Sequence, residues 1–227
     1  PRVPITAKLV ANLLVTAGAD RVLTIDLHAQ QIQGFFDVPV DHLYAAPVMG
    51  RYLTQVLDDN AVMVSPDSGS VKMAQAYGDM LGCGFAVVAK RRVSAEKVAS
   101  SHLVGDVKDR DCVLVDDLTT TAGTLLAAAE KLREHGGRRI FAAVSHCCLT
   151  EEAHRRIDDS CITEVVTTDS VPVQTKYKSE KVRILSVAEL LAEAILRIHE
   201  CRSVSSLFRW NGDADVNRTA GAAVPTL

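Results

Sequence analysis

The sequence lacks the features that mark several common classes of protein. It has no run of about 18 apolar residues, which a membrane-spanning helix requires, and no signal-peptide pattern. It has no surplus of positive charge either, because its formal net charge is −3. We therefore expect neither a membrane partner nor a general nucleic-acid surface. The hydrophobic share of 48% is large enough for a buried core in one large or two small domains.

Disulfide and zinc motifs are also missing. The six cysteines contain no C-x-x-C pair, and the six histidines other than His28 show no zinc-ligand spacing. Cys112 and Cys161 lie in or beside apolar, strand-like segments. Because disulfide frameworks belong to small secreted domains, we predict reduced, buried cysteines in a cytoplasmic protein.

Two frequent catalytic signatures are absent as well. No G-x-x-x-x-G-K-[ST] sequence occurs, so the P-loop chemistry of many kinases is not supported. No serine–histidine or cysteine–histidine motif of a nucleophilic enzyme stands out either.

Short apolar, β-branched segments alternate with helical patterns along most of the chain. We predict strands over residues 21–27, 61–65, 85–89, 112–115, 139–145, 162–167 and 182–186. We predict helices over residues 5–18, 48–57, 71–81, 123–135, 151–158 and 187–199. Many of the strands are continuously apolar, so both of their faces are covered. This pattern predicts an α/β fold with a parallel sheet flanked by helices, in which ligands bind at the carboxyl ends of strands.

The most informative segment lies between Val113 and Thr124. An apolar strand ends in two carboxylates, Asp116 and Asp117, and a loop of threonines and glycine leads into a helix. Backbone N–H groups of such a loop, with the positive end of the helix, favour a phosphate, whereas the carboxylates suit sugar hydroxyls or a metal. The segment therefore predicts a ligand such as a sugar phosphate. The alternative is a helix cap, which needs only one acidic residue.

Two further strand ends carry possible metal ligands. His28 follows the first strand together with Asp26, and an imidazole beside a carboxylate can hold or orient a divalent ion. Asp67 lies in a turn of proline, serine and glycine after the second strand. Because Mg²⁺ uses few protein ligands and keeps water and phosphate as the others, His28 and Asp67 would suffice. The alternatives are a structural histidine and a turn aspartate.

The predicted strand over residues 85–89, the third along the chain, is followed by Lys90, Arg91 and Arg92. A polar stretch over residues 93–109 comes next. A long loop with cations at its base could close over a phosphate chain and neutralise charge that develops during phosphoryl transfer. The alternative is a solvated, charged edge.

The motifs together resemble one known family. The segment from Asp26 to Asp41 is similar to the signature of ribose-phosphate pyrophosphokinases, the phosphoribosyl pyrophosphate (PRPP) synthetases. The resemblance covers about residues 1–208, and the other motifs follow in the family's order and spacing: Ser65-Pro66-Asp67, Lys90-Arg91-Arg92, Asp116–Thr124 and the carboxyl-terminal Ser203–Phe208.

The resemblance implies a reaction, an architecture and an assembly. ATP and ribose 5-phosphate would give PRPP and AMP, with Mg²⁺ as cofactor. Two α/β domains of phosphoribosyltransferase type I are implied, one partial over residues 1–44 and one complete over 45–198. Residues 199–208 would return to the first domain, and 209–227 would form a mobile tail. The family assembles as hexamers of dimers, so a homo-oligomer is expected.

The resemblance also implies roles for individual residues. His28 and Asp67 would bind Mg²⁺, and His28 and Asp41 would lie on the ATP side. Lys90 and Arg92 would be catalytic, with Arg92 also on the ribose 5-phosphate.

The sugar phosphate would be held by the segment that follows the fourth strand. Asp116 would bind the ribose hydroxyls with Asp117 near by. The 5-phosphate would be gripped through backbone N–H groups by Thr120, Thr121, Ala122, Gly123 and Thr124.

The chain departs from the family pattern in three ways. Roughly the amino-terminal third of the family, with several ATP-contacting residues, has no counterpart here, so we do not expect efficient ATP binding by this chain alone. Thr120 stands where aspartate is frequent, and its hydroxyl can still donate to a phosphate. Ser70 replaces a glycine and would be strained if that position needs a positive φ. Two alternative functions stay open: a non-catalytic regulatory subunit, and a phosphoribosyltransferase that consumes PRPP.

Overall fold

The computed structural model describes residues 5–91, 100–172 and 175–208. Its helices are α1 Thr6–Thr16, α2 Ala46–Val56, α3 Val71–Leu81, α4 Gly123–Glu134, α5 Glu151–Asp158 and α6 Ala188–His199, with 3₁₀ helices at Gln30–Phe35 and Ser205–Phe208. Its strands are β1 Val22–Ile25, β2 Val40–Leu43, β3 Val62–Ser65, β4 Gly84–Arg91, β5 Ser100–Val104, β6 Asp111–Thr119, β7 Arg139–Cys147, β8 Glu164–Thr168 and β9 Val182–Leu185.

A seven-stranded sheet organises most of the described chain. Its strand order is β5-β4-β3-β6-β7-β8-β9, and every neighbouring pair is parallel except β4 and β5. The predicted α/β fold, a mostly parallel sheet flanked by helices, is therefore confirmed. The parallel arrangement places the carboxyl ends of β4, β3 and β6 at one edge of the sheet, and Lys90, Asp67 and Asp116 lie at or just after these ends.

Helices cover both faces of this sheet, as the continuously apolar strands predict. On β6, Leu114 packs into a core with Leu125 of α4, whereas Val113 packs on the opposite face with Met49 of α2. Successive side chains of a strand point to opposite faces, so β6 supplies both cores and is buried between two helical layers.

Each predicted helix and strand occurs in the structure, but two strands were not predicted. The sequences VDHL of β2 and SSHLV of β5 contain polar residues that conceal the strand pattern. Their hydrogen bonds come from neighbours: β2 pairs in parallel with β1, and β5 pairs antiparallel with β4. Pairing at a sheet edge depends on such a partner more than on intrinsic propensity.

The two-stranded sheet of β1 and β2 is connected to the large sheet through Asp26. This buried carboxylate accepts hydrogen bonds from the Ala45 N–H at 2.9 Å and from the Ser145 hydroxyl at 2.6 Å. The Nε2 atom of His146 lies 3.1 Å from the Ile25 carbonyl oxygen. These contacts join the end of β1 to the end of β7. The domain boundaries at residues 44 and 198 stay predictions.

The cysteines are unpaired, as predicted. All six are free thiols; Cys112 and Cys147 are buried, but Cys148 and Cys201 are exposed, so the expectation that cysteines are buried holds only in part. Within the ranges that the structure describes, no helix combines the length and apolar character needed to cross a membrane.

Candidate functional site

The acidic end of β6 is the centre of the candidate site. Asp116 is partly buried, and one of its oxygens accepts hydrogen bonds from the Ser70 hydroxyl at 2.7 Å and the Asp117 N–H at 3.1 Å. Burial, together with the negative charges of Asp117 and Asp67, raises the pKa of Asp116 to about 6, although the two hydrogen bonds oppose the shift. The site therefore concentrates negative charge that a cation or a hydroxyl donor would stabilise.

His28 reaches this acidic end from a segment 89 residues earlier in the chain. Its Nδ1 atom lies 2.7 Å from Asp117 Oδ2. The His28 side chain is 82% exposed, whereas that of Asp117 is only 14% exposed. The imidazole thus caps the carboxylate from the solvent side and keeps most of its surface available to a ligand.

The backbone before His28 is held by a second histidine. The Leu27 N–H donates to His42 Nε2 at 3.0 Å. Burial lowers the pKa of His42, which favours the neutral ring that can accept this hydrogen bond. Asp26 has a left-handed φ of 41°, a conformation that non-glycine residues adopt only when surrounding contacts hold them. His42 and the contacts of Asp26 therefore direct His28 toward β6.

Asp67 lies in the turn between β3 and α3, beside the end of β6. Its Oδ1 atom accepts from the Gly69 N–H at 2.8 Å, which closes the turn. Ser70, at the start of α3, has a φ of −95°, so the strain expected for a serine at this position is absent. Its hydroxyl instead contacts Asp116 and connects the turn to the acidic end of β6.

The donor set is small for a metal site. Among the described residues, no group of three or more His, Cys, Asp or Glu side chains is arranged to hold a metal ion. His28 and Asp67 are a pair with the imidazole nitrogen and carboxylate oxygens that were predicted for Mg²⁺. Their chemistry fits an ion that takes its other ligands from water and substrate phosphates, and the surplus negative charge around Asp116 favours a cation.

The loop after β6 presents backbone donors beside these carboxylates. Ala122 has a left-handed φ of 56° and a buried side chain, and α4 begins at the next residue. Within the ranges that the structure describes, the N–H groups of Thr120, Thr121 and Ala122 have no hydrogen-bond partner. The Gly123 N–H makes only a long contact, 3.4 Å, with the Thr121 hydroxyl. Such a series of free N–H groups at a helix N-terminus suits an anion.

Comparisons with known proteins show the family of this chain. A family model described as phosphoribosyl synthetase-associated domain matches residues 92–209. Ribose-phosphate pyrophosphokinase from Caldanaerobacter subterraneus is 50% identical over 208 residues, which cover 91% of this chain and 66% of that protein. Ribose-phosphate pyrophosphokinase A from Dictyostelium discoideum is 46% identical with the same coverage. The chain belongs to the ribose-phosphate pyrophosphokinase family.

A solved structure extends the family assignment to the fold. The crystal structure of phosphoribosylpyrophosphate synthetase from Mycobacterium smegmatis matches with a TM-score of 0.82 and 40% identity, over 88% of this chain and 66% of that one. The resemblance on which the sequence interpretation depends is therefore confirmed. The chain spans about two thirds of the length of the curated relatives that it matches.

The cationic residues that the family resemblance implies are only partly described. The backbone of Lys90 lies in β4, next to β3 in the sheet, and pairs with Ser101 of β5. The Lys90 side chain, Arg92 and the tail over residues 209–227 lie outside the description. The roles of Lys90 and Arg92 stay predictions.

Asp41 lies in a different environment from the other predicted residues. It is the second residue of β2, and its carboxylate accepts from the Arg21 guanidinium at 2.6 and 3.2 Å. In the part of the chain that the structure describes, no hydrogen bond joins Asp41 to His28, Asp67 or Asp116. Its place on the ATP side stays a prediction.

The residues that support the site are not evident from the sequence alone. Ser70 holds Asp116, His42 holds the segment before His28, and Arg156 contacts the loop after β6. Each of these contacts joins two residues that are 15 to 46 positions apart in the sequence. No local motif predicts such contacts, because the partners are distant in sequence and meet only when the chain folds.

Proposed function

We propose that this chain contributes to a ribose-phosphate diphosphokinase, which transfers the diphosphoryl group of ATP to O1 of ribose 5-phosphate and yields PRPP and AMP. One observation carries the proposal: His28 meets Asp117 at 2.7 Å beside the Asp116 carboxylate and the free N–H groups of the following loop. This combination offers sites for a sugar, a phosphate and a metal-bound nucleotide within one edge of the sheet.

Ribose 5-phosphate would be bound by the end of β6 and its loop. The N–H groups of Thr120, Thr121 and Ala122 would donate to the 5-phosphate, helped by the positive end of α4. Asp116 would accept hydrogen bonds from ribose hydroxyls, with Asp117 beside it. A ligand that holds the sugar at two points is oriented as well as bound, which lowers the entropy cost of reaction.

The diphosphoryl donor would be bound on the His28 side. His28 and Asp67 would hold Mg²⁺, which supplies charge neutralisation to the ATP phosphates when bound. Lys90, near the end of β4, and Arg92 would stabilise negative charge on the transferred group. In the reaction the bond between ribose O1 and the β-phosphorus forms, the bond from that phosphorus to the α–β bridging oxygen breaks, and the O1 proton is released.

The compartment and assembly are also proposals. The free thiols support a reducing cytoplasmic environment. Exposed large apolar residues on α1 and α6, among them Leu9, Leu13 and Ile195, support association of several copies, as in a hexamer of dimers.

The test is a coupled assay of AMP release with the natural gene product that contains this sequence. AMP release that requires both ATP and ribose 5-phosphate is the expected result. Pyrophosphate release from PRPP without AMP would indicate a phosphoribosyltransferase instead. Neither activity, together with a change in a partner synthetase's rate, would indicate a regulatory subunit.

A further inference from the structure

Three consecutive carbonyl groups, at the last residue of β6 and in the loop after it, are bound by the same neighbouring segment. The Thr119 carbonyl accepts from the Cys148 N–H at 2.9 Å, and the Thr120 carbonyl accepts from the Thr150 N–H at 3.3 Å. The third, that of Thr121, accepts from the Arg156 guanidinium at 3.2 Å. The segment from the end of β7 into α5 therefore donates hydrogen bonds to the carbonyl groups on one side of the loop.

This arrangement determines where the loop's donors point. In a planar trans peptide, the C=O of one residue and the N–H of the next lie on opposite sides. The carbonyls of residues 119, 120 and 121 face the segment that runs from Cys148 into α5. The N–H groups of Thr120, Thr121 and Ala122 therefore face away from that segment. These three N–H groups have no hydrogen-bond partner among the described residues. The contacts that fix the carbonyls therefore also present the donors to an anion.

Arg156 extends from a helix that is capped at its start and anchored to the core. It projects from α5, a helix that begins with Thr150 as N-cap, whose side chain accepts from the Ala153 N–H at 3.2 Å. The neighbouring residue Ile157 is fully buried in the core that also contains Leu125 of α4. The exposed guanidinium thus comes from a helix anchored to the same core as the loop it contacts.

Of the three contacts, only that of Arg156 is made by a side chain. The Cys148 and Thr150 contacts come from backbone N–H groups, so a substitution does not remove them directly. Arg156 contacts the carbonyl before Ala122, whose left-handed backbone is an unfavourable conformation for alanine. A contact at this position opposes relaxation of the strained residue.

We propose that Arg156 is a positioning residue for ribose 5-phosphate binding: by holding the Thr121 carbonyl, it keeps the loop's N–H groups directed at the 5-phosphate. The inference deepens the proposed function and rests on it. Arg156 acts through the loop, so its loss is expected to weaken sugar-phosphate binding while ATP binding and the chemical step change little.

The experiment compares four forms of the natural protein: wild type, Arg156→Ala, Arg156→Lys and Arg155→Ala. The last is a matched control, because Arg155 carries the same charge on the same helix but contacts Glu151 at 2.7 Å and the Tyr177 ring at 4.7 Å. Two quantities are measured: the affinity for ribose 5-phosphate by calorimetry, with inorganic phosphate as a second probe, and amide hydrogen exchange at Cys148 and Thr150 without ligand. Steady-state KM and kcat complete the set.

Arg156→Ala is expected to weaken ribose 5-phosphate binding about tenfold, since a charge-assisted hydrogen bond is lost. KM for ribose 5-phosphate should rise accordingly, with kcat and the KM for ATP within about twofold. Exchange at Thr150 should accelerate several-fold because the loop no longer holds its N–H as firmly. Arg156→Lys should restore part of both effects, and Arg155→Ala should show neither.

Two results would overturn the positioning role. One is unchanged sugar-phosphate affinity in Arg156→Ala. The other is weaker affinity with unchanged Thr150 exchange, which would mean that the guanidinium acts on the ligand directly. Failure of the proposed function would look different: wild type would bind neither ribose 5-phosphate nor inorganic phosphate, while the exchange data would still show whether Arg156 holds the loop.

Discussion

Two carboxylates of strand β6, Asp111 at its amino end and Asp116 toward its carboxyl end, have pKa values that shift in opposite directions. At the amino end, Asp111 is fully buried and receives the guanidinium groups of Arg138 and Arg139, each with a contact at 3.0 Å, and the Asp58 N–H at 3.2 Å. Burial alone would raise the pKa of Asp111, but these hydrogen bonds lower it. Toward the carboxyl end, burial and then the charges of neighbouring carboxylates raise the pKa of Asp116 to about 6.

Asp111 and Asp116 differ in how far the fold compensates the charge of the carboxylate. A buried charge that its own fold compensates contributes to stability and has little capacity left for a ligand. A charge that the fold leaves poorly compensated costs stability, and the cost is recovered when a ligand or cation binds. The amino end of β6 is compensated by its own fold, whereas the carboxyl end keeps the capacity to bind the ligand that the proposed function assigns to it.

The largest expected effect concerns Lys90, one of the two cations proposed to stabilise negative charge on the transferred group. Lys90→Ala is expected to lower kcat by about 10³-fold, because a donor to developing charge is removed, while the melting temperature stays close to that of wild type. Stopped assays of AMP release and a thermal melt measure the two quantities. An unchanged kcat would exclude Lys90 from the mechanism.

Asp111→Asn tests the compensated end. It is expected to lower the free energy of unfolding by about 2–3 kcal/mol, less than for a fully buried pair because both arginines are partly exposed. Ribose 5-phosphate affinity should stay within about twofold of wild type, since the site is at the other end of the strand. Urea unfolding and calorimetry provide the measurements, and a stability equal to wild type would show that the arginines do not stabilise the folded state.

The same variant gives a pH signature. Because the folded-state pKa of Asp111 lies below its ordinary value, its stabilisation is complete above the unfolded pKa of about 4 and is lost as the pH falls through the folded pKa. Wild type should therefore lose more stability than Asp111→Asn when the pH falls below about 4. Parallel acid-induced unfolding curves for the two proteins would contradict this assignment.

Asp116→Asn tests the uncompensated end and should show the reverse pattern. Loss of the sugar-binding carboxylate is expected to weaken ribose 5-phosphate binding about 100-fold, with a much smaller effect on ATP. The free energy of unfolding should not fall, because the substitution removes a charge that burial and neighbouring carboxylates disfavour. Equal weakening of both substrates would argue against the sugar role.

The smallest effect is expected from Ser70→Ala, which removes the hydroxyl that holds Asp116 at 2.7 Å. Affinity for ribose 5-phosphate should fall about fivefold, as for the loss of one hydrogen bond, and stability should change by less than about 0.5 kcal/mol because this residue is only partly buried. Ser68→Ala, an exposed serine in the same turn, is the control. A Ser70 variant that binds like wild type would show that Asp116 is positioned without it.

The fold class and the centre of the site could be predicted because they are local in sequence. Alternating apolar strands and amphipathic helices have characteristic periods, and Asp116, Asp117 and the threonine-rich loop are consecutive residues. The supporting contacts could not be predicted. His28 and Asp117 lie 89 residues apart, and the strands β2 and β5 exist because a partner lies beside them.

The sequence by itself determined a parallel α/β sheet, because backbone periodicity carries that information. It also determined that the strands end in acids, in a loop suited to a phosphate and in a lysine–arginine cluster, because these residues are adjacent in the chain. Only the tertiary structure decided which acids are compensated and which donors face a ligand. Asp111 and Asp116 are the same residue type on one strand, yet their pKa values shift in opposite directions. The energy of a charge depends on the groups that folding brings around it, and those groups come from distant parts of the chain.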